Sequence, residues 1–216
     1  MTFTERLRNF EQKILDNLDK IKCPVHLSLG QEQVSSEIER YIHKNDWLFS
    51  THRNHGHYLA KGGSEEKLWD EIQGLDSGIN GGVFGSQCFS DTSINFHASS
   101  IVGGSIGIAV GTAFGIRDTR RIVVCCLGDA ATEQGVFWEA LNFSSLYNLN
   151  IFFICENNQL SINVPIRERQ SKGITHRVKS WIEIAPSIKQ GFEMKGPRFY
   201  EAIVTREGSH CYFPKG

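Results

Sequence analysis

This sequence of 216 residues predicts an α/β protein built on a mostly parallel, doubly wound sheet flanked by helices, and three observations lead there. Residues 121–127, Arg-Ile-Val-Val-Cys-Cys-Leu, form a continuous apolar run between charges and Gly128, the pattern of a strand buried on both faces. Residues 151–155, Ile-Phe-Phe-Ile-Cys, repeat it. Between the two, Phe137, Ala140, Leu141, Ser144 and Ser145 keep helical spacing. The stretch therefore reads as strand, helix, strand with a right-handed crossover.

The remaining elements follow in chain order. Leu7, Phe10, Ile14, Leu15, Leu18 and Ile21 lie at helical spacing with charges between them, so an amphipathic helix is expected over 4–21, docking on the rest through that stripe. Val34, Ile38 and Ile42 mark a second helix over 31–43, stopped by Asn45-Asp46. Residues 47–50 read as extended, and 65–73 as helical. The glycine- and serine-rich stretch 74–100 reads as one long loop, a length usually reserved for function. The glycine-rich apolar run 101–116 is too short to cross a membrane and is expected to be a core helix. Residues 199–205, after the turn Gly196-Pro197, make a third strand. One domain over 1–216 is expected, with 1–22 as its docking helix.

Composition narrows the function. With 40% hydrophobic and 22% charged residues the chain belongs with ordinary globular proteins, and its net charge of -1 leaves no basic field for nucleic acid or a membrane surface. Six cysteines occur without a C-x-x-C pair, as suits a reducing cytoplasm. The polar, charged start carries no export or transit pattern.

In a parallel sheet, ligands collect outside the carboxyl ends of the strands. The first strand delivers Gly128, Asp129, Ala130 and Ala131 there, the second Glu156, Asn157 and Asn158, and the third Arg206 and His210. An aspartate carboxylate and an asparagine amide oxygen, joined by a backbone carbonyl, a water and two phosphate oxygens, make an octahedral Mg²⁺ site. Ala130 and Ala131 are small enough for a diphosphate to approach the backbone, and a helix starting near Thr132 favours its charge. Arg53 and Arg206 are candidate phosphate clamps. His26, His55 and His210 are candidates for proton transfer near neutral pH. A zinc cluster of His52, His55 and His57 is disfavoured because no Cys or carboxylate nearby completes it. His97 reads as structural, and Glu32 as a helix-start or interface residue.

These residues carry a resemblance. Gly128-Asp129 followed, 29 residues after Asp129, by Asn158 in Glu156-Asn157-Asn158 resembles the thiamine diphosphate motif. Residues 128–142, together with 26–32, 53–56, 101–103 and 196–210 in that order, are similar to the alpha subunit of 2-oxo acid dehydrogenases of the pyruvate, branched-chain and acetoin type. The resemblance covers about residues 20–213 and implies a thiamine-diphosphate-binding fold. It further implies Mg²⁺ on Asp129, Asn158 and the carbonyl of Leu160; thiamine diphosphate held by His52, Arg53, Ile101, Val102, Gly103, Gly128, Asp129, Ala130, Ala131, Asn158 and Arg206; and active-site histidines at His26 and His210. The implied activity is decarboxylation of a 2-oxo acid. The implied partners are a beta-like subunit, carrying the pyrimidine domain and the activating Glu, and a lipoyl-bearing acyltransferase.

The sequence also departs from the family. His52 stands where a Tyr is usual, Ala130 where Gly is, Gly85-Ser86-Gln87-Cys88 where Gly-Ser-Met-His is, and Cys211 where some members carry a phosphorylated serine. The segment between Asn158 and Arg206 is shorter than usual. A transketolase-like carboligase subunit and a truncated non-catalytic homologue are the alternatives that these departures leave open.

Overall fold

The computed structural model describes residues 1–215. Helix α1 spans Phe3–Asp16 and opens with a reciprocal cap: Thr2 Oγ1 accepts from Glu5 N–H while Glu5 accepts from Thr2 N–H. It ends five residues before the sequence pattern does, because the side-chain amide of Asn17 donates to the Lys13 carbonyl and a tight turn follows. Ile21 stays in the core although it is no longer helical. Then come α2 (Glu32–Tyr41), β1 (Trp47–Ser50), α3 (His55–Ala60) and α4 (Glu65–Gln73).

The stretch expected as one loop over 74–100 contains β2 (Ser90–Asp91) and β3 (Phe96–Ala98). A strand of three residues shows no periodicity in sequence, and β3 exists because it pairs in parallel with β1, Leu48 opposite Phe96. Helix α5 covers Gly104–Gly115, so Ile101 and Val102 precede it and are exposed. The core helix is thus shorter than the apolar run, and half-amphipathic: Ile106, Ala109, Val110 and Ala113 are buried while Ile108 faces out.

Strand β4 (Val123–Gly128) leads into a 3-10 turn at Asp129–Glu133 before α6 (Gly135–Leu146), so no α-helix begins at Thr132. Strand β5 (Ile151–Asn157) is followed by a hairpin of β6 (Leu160–Ser161) and β7 (Val164–Pro165), then α7 (Ile174–Val178), β8 (Glu183–Ile184), α8 (Ile188–Glu193) and β9 (Arg198–Ile203).

The main sheet has the order β2-β3-β1-β4-β5-β9-β8, parallel except for the β2–β3 pair. Alternation along its central strands divides the core. Val124, Cys126, Phe152 and Ile154 pack toward α1, α2, α4 and α8, whereas Val123, Cys125, Leu127, Phe153 and Cys155 pack toward α5, α6 and α7. Both sheet faces are therefore covered, which is why the strands read as unbroken apolar runs. Arg198 is an exception that sequence patterning does not anticipate. It is fully buried, with its guanidinium on the carbonyls of Gly191 (2.6 Å) and Gly196 (2.7 Å) and on Asn150 Oδ1 (2.6 Å).

No helix among the described residues is long and apolar enough to cross a membrane.

Candidate active site

Six strands of the sheet are parallel, and a cleft of about 270 Å³ opens at the edge where five of them, β3, β1, β4, β5 and β9, end. Beyond the three strands read from sequence, β1 contributes Ser50 through Arg53 and β3 contributes Ser100 through Gly103. Gly103 caps α5 at φ 79°, a left-handed conformation that glycine adopts without strain, and this turns the chain so that the helix N-terminus faces the cleft. The site residues that the family resemblance implies all line it, whereas His55 does not. His26, His52, Arg53, Ile101, Val102, Gly103, Gly128, Asp129, Ala130, Ala131, Asn158, Leu160, Arg206 and His210 share this one cavity.

Two segments distant in sequence bring the histidines together. Val25 and Tyr212 exchange backbone hydrogen bonds of 2.9 Å each way, and Glu207 N–H donates to the Leu29 carbonyl at 2.9 Å. These bonds set the ring of His26 4.9 Å from that of His210 and 4.6 Å from that of His52. One ring nitrogen from each lies within 4.8 Å of the others, a cluster that sequence spacing did not suggest.

His52, His55 and His57, disfavoured from sequence as a zinc cluster, are dispersed. His55 and His57 sit on the buried side of α3, His55 between Glu11 (3.2 Å) and Ser86 Oγ (2.7 Å), His57 with Nδ1 on Ser50 Oγ (2.8 Å). His55 therefore takes no place in the cleft. His97 bonds Ser90 Oγ at 2.7 Å, and Glu32 is buried against the Arg8 guanidinium at 2.8 Å.

Titration near neutral pH, expected of His26 and His210, is moved to lower pH in this environment. Burial pushes His26 down to about 3, helped by the neighbouring His52 and Arg53. Burial and Arg53 likewise push His52 down to about 4, and burial with Arg53 and Arg206 lowers His210. The imidazoles are neutral at physiological pH. Arg206 donates to Nδ1 of His210 at 3.3 Å, which leaves the proton of that neutral ring on Nε2. Beside two guanidiniums and with an N–H so fixed, the cluster is suited to donating to an anion rather than to holding a metal.

The two arginines are anchored from behind. Arg53 is buried and donates to the Leu27 carbonyl and to the His210 carbonyl (3.4 Å). Arg206 donates to the Ile162 carbonyl at 2.9 Å, and its buried Nε has no partner. Asp129 and Asn158 stand at the ends of adjacent strands. Asp129 is 2% exposed, and its carboxylate is met by the guanidinium of Arg169, a residue that sequence reading did not single out. Asn158 Oδ1 accepts from Leu160 N–H at 3.0 Å. Glu156, at the floor of the cleft, is pushed up to about 8 by burial, partly opposed by Arg53, and faces His57 Nε2 at 3.5 Å.

This donor set fits a hard divalent ion with an anionic tail. A buried carboxylate already draws a cation, an amide oxygen stands just past the end of the neighbouring strand, and Arg206 keeps an unpartnered N–H.

The family model for the dehydrogenase E1 component matches residues 3–185. The alpha subunit of acetoin:2,6-dichlorophenolindophenol oxidoreductase from Bacillus subtilis (strain 168) is 36% identical over 226 aligned residues, covering 94% of this chain and 68% of that one. The pyruvate dehydrogenase E1 component subunit alpha of Rickettsia bellii (strain RML369-C) is 30% identical over 206, covering 90% and 60%. A mitochondrial pyruvate dehydrogenase alpha subunit from Chaetomium thermophilum is 28% identical over 214, covering 91% and 52%. The chain thus spans between half and about two thirds of the length of these relatives. From the match over most of its length and the assembly of these residues at one sheet edge, the chain belongs to the dehydrogenase E1 component family.

Proposed function

We propose that this chain is the alpha-like subunit of a heteromeric, thiamine-diphosphate-dependent enzyme that decarboxylates a 2-oxo acid and passes on the acyl or hydroxyalkyl unit. The observation that carries this reading is the placement of Asp129 and Asn158 at adjacent strand ends, in one cleft with Arg53, Arg206 and the N-terminus of α5. In this reading Asp129, Asn158 and the Leu160 carbonyl hold Mg²⁺, while Arg53, Arg206, Gly128, Ala130 and Ala131 receive the diphosphate. His52 and the backbone of Ile101, Val102 and Gly103 receive the rest of the cofactor. When bound, thiamine diphosphate supplies the nucleophile and electron sink for loss of carbon dioxide.

The protein's own contribution is position and charge. Arg53, fixed by two carbonyls, presents its positive charge to the cleft without reorganising. Neutral His26 and His210 donate hydrogen bonds to an anionic substrate group at the cleft mouth. Tight burial around His26 excludes water from that side.

Two observations support a beta-like partner. Among the described residues the carboxylates lining the cleft are Asp129 and Glu156, one paired with Arg169 and the other sunk against His57, so the activating Glu is assigned to the second chain. Ile101, Val102, Ile108, Leu146 and Tyr147, beside and on α5 and α6, are exposed apolar side chains of the kind an obligate subunit interface covers. A lipoyl-bearing acyltransferase is the acceptor in this reading. Six free cysteines, three of them buried, support a reducing cytoplasm as the compartment.

The test is calorimetric titration of Mg²⁺ with thiamine diphosphate into the chain and its co-purifying partner, comparing wild type with Asp129→Asn. Loss of binding in the variant is expected, and unchanged binding overturns the reading. A 2-oxo acid screen with and without a lipoyl acceptor then separates dehydrogenase from carboligase chemistry.

A further inference from the structure

We propose that Arg169 is the resident cation of the Asp129 site, holding the carboxylate until a divalent ion displaces it. The inference rests on the reading of Asp129 as a metal ligand and adds what occupies that ligand beforehand.

The geometry is that of a strap. One Arg169 nitrogen, Nη2, meets Asp129 Oδ2 and the other, Nη1, meets Glu133 Oε1, so a single guanidinium bridges both acids of the turn after β4. The next residue adds to it: Gln170 Nε2 donates to the Asp129 carbonyl (3.3 Å), to Thr132 Oγ1 (3.2 Å) and to Glu133 Oε1 (3.0 Å). Arg177 holds Gln170 from the far side at 2.6 Å. The same chain segment begins with Leu160, whose N–H occupies Asn158 Oδ1 at 3.0 Å. Thus one stretch, 160–170, places a donor on the oxygens of both residues assigned to the metal.

Charge explains why the contact is exclusive. Asp129 is almost wholly buried, and a buried carboxylate without a counter-charge is costly. Arg169 meets that need in the unloaded chain. A guanidinium and a Mg²⁺ within bonding distance of one carboxylate oxygen repel strongly in so dry a place, so the ion binds Oδ2 only when Arg169 leaves. Loading therefore selects the form in which Arg169 has swung off, and the apparent metal affinity carries the cost of that exchange.

The experiment compares wild type, Arg169→Gln and Asp129→Asn, each with the co-purifying partner, by calorimetric titration of Mg²⁺ at saturating thiamine diphosphate. Arg169→Gln is expected to bind Mg²⁺ about tenfold tighter than wild type while lowering the melting temperature of the unloaded protein. Equal or weaker Mg²⁺ binding in Arg169→Gln, with binding lost in Asp129→Asn, overturns this inference alone. Unchanged binding in Asp129→Asn overturns the parent reading. A second measurement needs no variant: phenylglyoxal modification of wild type, followed by mass spectrometry, reports on the Arg169 side chain. A several-fold faster modification of Arg169 after loading with Mg²⁺ and thiamine diphosphate supports the exchange. An unchanged or slower rate overturns it.

Discussion

The carboxylate of Glu11 accepts the backbone N–H of Ser28 on both oxygens, at 2.7 and 2.8 Å, and so fastens helix α1 to the loop that carries His26. Glu11 is fully buried and also meets His55 Nδ1 at 3.2 Å. The N-terminal helix therefore supports the cleft through a polar bond, not only through its apolar stripe.

Replacement of Glu11 by Ala leaves the Ser28 amide and the His55 ring without their acceptor in the interior. Folding stability is expected to drop by about 3 kcal/mol, with Glu11→Gln intermediate. Urea denaturation measures it; a loss below about 1 kcal/mol would show that water replaces the carboxylate at no cost.

A second buried carboxylate organises the glycine-rich stretch before β2. Glu71 Oε2 accepts from Asn80 and Gly82 N–H at 2.7 and 3.0 Å, and Oε1 from Phe84 and Gly85 N–H at 3.0 and 3.1 Å. Glu71→Gln turns one acceptor into an NH₂ group facing two donors, so a loss of about 3 kcal/mol is expected despite the near-identical shape. Chemical denaturation of the variant checks this, and a shift of a few tenths would be inconsistent with the geometry.

His57 makes stability depend on acid. Burial pushes it down to about 4, whereas the unfolded chain titrates near 6.5. As pH falls between those values, the unfolded chain takes up a proton that the folded chain refuses, so stability declines across that window. The contribution is about 3 kcal/mol from pH 6.5 to 4. Denaturation of wild type and His57→Gln at several pH values should give curves that converge as the pH is lowered through this range; parallel curves would contradict the assignment.

Gly30 adopts φ 83°, and a Cβ there would lie 2.2 Å from the Thr205 carbonyl oxygen. The close approach joins the strand of chain before α2 to the one leaving β9, which is how His26 and His210 become neighbours. Gly30→Ala is expected to cost about 2 kcal/mol or more and to lower the melting temperature by several degrees. A thermal melt equal to wild type would show that the two segments separate freely.

Much of the sheet was legible from residue order because burial on both faces demands unbroken apolar strands. Val123 to Leu127 and Ile151 to Cys155 announce themselves, and Gly128-Asp129 and Asn158 follow as their ends. Strand β3 was not legible. Its three residues become a strand only by pairing with β1, and a pairing partner nearly fifty residues away leaves no local trace. The histidines show the same limit from the other side: spacing grouped His52, His55 and His57, but α3 turns two of them inward.

Sequence by itself determined the fold class and which residues gather at the carboxyl edge, since apolar periodicity and motif order are one-dimensional properties. Tertiary structure alone decided the charge states and pairings inside the cleft. Whether an imidazole is neutral, or a carboxylate already has a cation, depends on desolvation and on groups brought within a few ångströms by the fold. Arg169, forty residues from Asp129 in the chain and bonded to it in space, is the clearest case.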